Sequence, residues 1–119
     1  MTDPVATGAR AAAQRLTPEY GPRLALDVEA ALRARRLPQP PQYDLDPVSL
    51  GSLVVSVATL VWTIYADLRK GDTPDPAPDK VAHTVRIELR DLGEAGPIAH
   101  PLLVDVTITE TIEAIEDSG

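Results

Sequence analysis

The chain has no cysteine and no phenylalanine, and only one tryptophan, one methionine and three tyrosines among its 119 residues. Without cysteine there is neither a disulfide framework nor a thiolate metal site. Without phenylalanine, the core must be built from Ala, Val, Leu and Ile. A chain of this length buries only about two-thirds of the surface that its unfolded form exposes, so one domain with an economical core is expected. The first sixteen residues contain no long apolar run, and no cleavable signal peptide is expected there.

Positive charge is scarce in the second half. The net charge is −7; residues 1–46 hold six acids and six arginines, whereas residues 67–119 hold twelve acids against five bases. The last fifteen residues carry Asp105, Glu110, Glu113, Glu116 and Asp117 and no base. Such a surface repels phosphate backbones, so no nucleic-acid partner is expected. The plain reading of these acids is a solvated helix face. The sharper reading is a docking face for a protein partner, formed by Asp105, Glu113 and Glu116.

Motifs for chemistry are also missing. There is no phosphate-cradling glycine loop, no dinucleotide fingerprint and no nucleophile elbow. His83 and His100 are the only histidines, and with Asp79 or Asp91 they match no standard metal-ligand spacing. Glu110 and Glu113 lie too close in sequence, on what reads as an exposed face, to divide acid and base roles. No catalytic, cofactor-binding or metal-ligating residues are therefore expected, and an enzyme or metal protein is the third-ranked reading.

Proline is abundant, with twelve residues cutting the chain into pieces. Asp3-Pro4, Thr17-Pro18-Glu19 and Asp46-Pro47 each look like a helix start, with a capping side chain followed by proline at the first helical position. Residues 1–37 read as amphipathic helices; within them Leu24, Val28, Ala31 and Leu32 share a face, with Arg23, Arg33, Arg35 and Arg36 elsewhere. Residues 38–46 and 71–78 read as proline-rich spacers that set a central helix at 47–70 apart from its flanks. The PPQY at 40–43 fits what proline-binding modules read, and a spacer accounts for it equally well.

The acidic segment 79–119 admits two readings. Alternation in TVRIELR and β-branched residues in LLVDVTITET favour a hairpin pairing 84–92 with 102–110, which would make the fold α+β. The helical reading has better boundaries. Asp79 can cap a helix carrying Val81, Val85, Leu89 and Leu92, stopped by Gly93. After Pro101, Val104, Ile108, Ile112 and Ile115 form one stripe, and Asp105, Thr109, Glu113 and Glu116 form a second. The fold expected is mainly α, with amphipathic helices flanking one long apolar central helix.

That central stretch has no charged side chain from Pro47 to Ala66. Twenty residues of helix span about 30 Å, the hydrocarbon thickness of a bilayer. Trp62 and Tyr65, followed by Arg69 and Lys70, have the chemistry of membrane-interface anchors. Ser49, Ser52, Ser56, Thr59 and Thr63 recur at alternating intervals of three and four. In lipid this is a seam along which helices associate; in a soluble bundle it is the outward stripe of a core helix. Two functional readings follow. One is a membrane-anchored, single-pass or membrane-associated interaction protein that self-associates through the seam. The other is a cytoplasmic, all-helical oligomeric interaction module. Bases flank the stretch on both sides and do not fix an orientation.

Residues 43–92 add a resemblance. The block YDLDPVSLGSLVVSVATLVWTIYADLRK, the proline-rich spacers and PDKVAHTVRIELRD resemble short accessory proteins of actinobacteria encoded beside effectors of immune-type conflict systems. The resemblance implies a noncatalytic adaptor or membrane-tethering role, and it carries over no catalytic residue.

Overall fold

Asp3 turns back on the chain to start the first helix: its carboxylate accepts from the Val5 amide at 3.0 Å, and Pro4 fills the first helical position. The computed structural model describes residues 3–36, 50–70, 76–92 and 100–118. They form five helices: α1 (Pro4–Tyr20), α2 (Arg23–Arg36), α3 (Leu50–Lys70), α4 (Pro78–Leu92) and α5 (Pro101–Ser118). Among the described residues there is no strand, so the hairpin at 84–92 and 102–110 does not form. Val81, Val85 and Leu89 of α4 and Val104, Ile108, Ile112 and Ile115 of α5 are buried, whereas Asp105, Thr109, Glu113 and Glu116 are exposed. The three-and-four periodicity outweighed β-branched propensity because it gives each helix a continuous face to bury.

Two expected helix starts are corrected. Thr17-Pro18-Glu19 lies inside α1. Proline there forfeits one amide bond to the preceding turn, and the helix still continues to Tyr20. The Thr17 hydroxyl donates to the Ala13 carbonyl at 2.9 Å, and the Thr17 carbonyl accepts from Gly21 at 2.7 Å. The break falls at Gly21, whose φ of 87° suits a residue without a side chain, and Pro22 follows. Asp79, expected as a cap, sits within the first turn of α4. The carbonyl of Ala77 accepts from Lys80 and Val81, so the helix begins one residue earlier, with Pro78 at its first position. The Asp46-Pro47 start, the Gly93 stop, PPQY, the spacer 38–46 and residues 71–75 of the second spacer lie outside the described residues.

The central helix is not held apart. α3 packs against α1, α2, α4 and α5, and one hydrophobic cluster joins all five. At 21 residues it is about 30 Å long, which matches the shorter dimensions of a molecule measuring 40 × 33 × 32 Å. Val54, Val57, Ala58 and Val61 are wholly buried, and so are Ala9 and Ala12 of α1, Val28 of α2, Val81 and Val85 of α4, and Leu103 and Ile108 of α5.

Small side chains let the helices approach closely. Gly51 of α3 lies against the Asp27 backbone of α2, and Gly8 of α1 meets Thr111 of α5: a methyl group on Gly8 would lie 2.5 Å from Thr111 Oγ1 and 2.6 Å from its Cα. Thr107 and Thr111 are the buried polar residues of the described core. Thr107 donates to the Leu103 carbonyl at 2.8 Å, while Thr111 Oγ1 has no partner. An unpaired buried hydroxyl costs about 1–3 kcal/mol, the consequence of wedging Thr111 against a bare backbone. Gly8→Ala should therefore destabilise the bundle by about 1–3 kcal/mol despite alanine's better helix propensity. Urea unfolding followed by circular dichroism measures this, and an unchanged or raised midpoint would contradict the close approach.

Candidate interaction surface

The two sides of α3 differ in kind. Its inward side is aliphatic. Its outward side carries Ser52 and Thr59, half-buried, and Ser56 and Thr63, exposed. Four of the five residues of the expected seam thus lie along one partly wetted strip; Ser49 falls outside the described residues. The Thr59 hydroxyl donates to the Val55 carbonyl at 2.8 Å, and the Thr63 hydroxyl donates to the Thr59 carbonyl at 2.9 Å. Both donors are thereby used within the helix, and the strip is less polar than its composition suggests.

At its C-terminal end the strip runs into the four residues expected as membrane-interface anchors, and the structure brings them together. Trp62 and Tyr65 stack with centroids 6.3 Å apart and planes inclined by 17°. With Ala66, Arg69 and Lys70 they line an open recess of ≈ 380 Å³. Trp62 is 38% exposed, so the chain's only indole is left partly in water beside Arg69 and Lys70, which have no ion pair among the described residues. The bases in the last turn also suit the negative end of the helix dipole.

The acidic face is divided. Asp105 is bridged by Arg86 of α4 at 3.1 Å, which ties α4 to α5. Glu110, expected on an exposed face, is largely covered and receives Arg15 of α1 at 2.8 Å. Glu113 and Glu116 have no ion pair among the described residues. They border an open groove of ≈ 540 Å³ between α4 and α5, opposite Asp79 and His83, with Ala82, Ile108 and Ile112 as its floor. Sequence reading did not find this groove. The stripes that line it were legible, but nothing in them says that α4 lies beside α5.

The remaining charged and aromatic contacts hold helices together. Arg10 of α1 forms a two-point contact with Glu29 of α2 at 2.7 and 3.2 Å. Hydrogen bonding to that carboxylate raises the Arg10 pKa. Tyr20 pairs with His100, its hydroxyl 3.2 Å from Nδ1. His100 is therefore engaged with α1, while His83 lies exposed in the α4/α5 groove. Among the described residues, no three His, Asp or Glu side chains are grouped to hold a metal.

No protein-family model, curated protein or solved structure matches the chain. The surface must be read from its own chemistry.

The contrast between the sides of α3 gives a direct check. Val57→Ala removes two buried carbons and should cost about 2 kcal/mol. Ser56→Lys, one position away on the wetted side, should change stability by no more than about 0.5 kcal/mol. Thermal unfolding of the two purified variants decides. Similar losses at both sites would mean that the outward strip is covered.

Proposed function

We propose that the protein is a noncatalytic interaction module, a small helical bundle whose outward α3 strip pairs with a protein partner, in the first instance a second copy of the chain. The observation that carries this reading is the strip itself. From Ser52 to Ala66 it contains no charge, it consumes its threonine hydroxyls internally, and it ends in a partly exposed tryptophan. Outward helix positions of soluble proteins ordinarily carry Lys and Glu, and an exposed neutral patch ending in aromatics is the chemistry of a contact surface. The adaptor role implied by the resemblance over residues 43–92 agrees with this reading.

A membrane-anchored protein is the second reading. One helix, α3, is long and apolar enough to cross a bilayer, although 44% of its most apolar window is buried inside the bundle. Withdrawing it into lipid would uncover apolar side chains of α1, α2, α4 and α5 that share its hydrophobic cluster, each fully exposed one at a cost of about 1.5–3 kcal/mol. That cost favours the bundle.

Fractionation without detergent separates the two. The bundle should be recovered in the high-speed supernatant and should associate with rising concentration. Ser56→Glu with Thr63→Glu, both at exposed positions, should weaken that association by about tenfold or more without lowering helicity. Recovery only with detergent would favour the anchored protein, and unchanged association of the double variant would exclude the strip as the contact.

A further inference from the structure

Two open recesses on the described surface have opposite chemistries. The one at the end of α3 offers stacked Trp62 and Tyr65 with Arg69 and Lys70. The one between α4 and α5 offers the carboxylates of Asp79, Glu113 and Glu116 around a floor of Ala82, Ile108 and Ile112. Neither set is neutralised from within. Arg69, Lys70, Asp79, Glu113 and Glu116 have no ion pair among the described residues, whereas Arg86, which also lines the α4/α5 groove, is engaged by Asp105.

We propose that the α4/α5 groove receives the aromatic and basic end of α3 from a second copy. The inference goes beyond pairing along the hydroxyl strip, because it joins two different surfaces and does not need that strip. Trp62 would lie over the partly exposed Ala82 between the rims, and Arg69 and Lys70 would meet the three rim carboxylates. Charge complementarity of this kind fixes register and speeds encounter, and the indole supplies an anchor that charge alone lacks. A contact between unlike surfaces propagates as a ring or chain unless the geometry returns it to the first partner. A monomer carrying a net charge of −7 repels its own copies at long range, so the contact must form through this local match of opposite charges.

The test uses two charge-reversed versions of the full chain. Arg69→Glu/Lys70→Glu keeps the groove and spoils the α3 end; Glu113→Lys/Glu116→Lys keeps the α3 end and spoils the groove. By sedimentation velocity, wild-type protein should associate and each variant alone should be at least about tenfold weaker. An equimolar mixture of the two should regain association, because it contains one intact surface of each kind and the two reversed surfaces are themselves opposite in charge. All four positions are exposed, and milder glutamine replacements at the same positions should weaken association in the same direction, with a 1:1 species regained in their mixture through its one intact surface of each kind. Three results would each overturn the proposal: a wild-type protein that stays monomeric at every concentration, variants that associate as wild type does, or a mixture of the reversed pair that remains monomeric. Loss of association on Ser56→Glu/Thr63→Glu with an intact response to charge reversal would implicate both surfaces. The converse pattern would leave this contact standing without the strip.

Discussion

A helix with no charge along most of its length must be covered on at least one side, and in this chain the buried residues that do so are aliphatic, none larger than leucine or isoleucine. The other elements are arranged around that need. α1, α2, α4 and α5 each present an aliphatic face to α3, and valine and alanine at full burial take the place of an aromatic centre. Small residues supply little apolar area individually, so the helices must approach closely for the contacts to accumulate. The meeting of Gly8 with Thr111 shows how far this goes: backbone nearly touches backbone, and a buried hydroxyl is left without a partner.

The same constraint explains why one side of α3 remains neutral and open. Cover is complete on the Val54, Val57 and Val61 side and incomplete on the Ser56 and Thr63 side. A helix adapted only to solubility would carry charge there. What it carries is a set of hydroxyls, two of them bonded back to their own helix, and an indole at the end. The ion pairs Arg10–Glu29, Arg15–Glu110 and Arg86–Asp105 join pairs of outer helices and leave α3 out. They are exposed or partly exposed, so each contributes little to stability.

Much of this was legible in the sequence, because helical periodicity is a local property. The inward residues of α4 and α5, the neutrality of α3 and the phase of its hydroxyl strip could all be read from spacing alone. The first cap was legible for the same reason, since Asp3 acts on an amide two residues away. The Pro18 signal misled because a proline near the end of a helix costs only one bond, while the stronger Gly21-Pro22 break follows immediately. The α4/α5 groove, the meeting of Gly8 with Thr111 and the capture of Glu110 by Arg15 join residues from 22 to 103 positions apart, and no local pattern encodes them. The four aromatic and basic residues at the end of α3 were found together because they lie within nine consecutive residues. Their chemistry suits a bilayer interface or a protein surface equally, and only the packing of the bundle tips the balance.

Trp62 reports on that balance, being the sole tryptophan and lying on the outward side of α3. Its fluorescence in dilute protein, with and without phospholipid vesicles, is the most direct measurement. A partly wetted indole, quenched by acrylamide and unaltered by vesicles, is the expected result if α3 remains the core of the bundle. A blue-shifted emission, shielded from the aqueous quencher once vesicles are added, would contradict it.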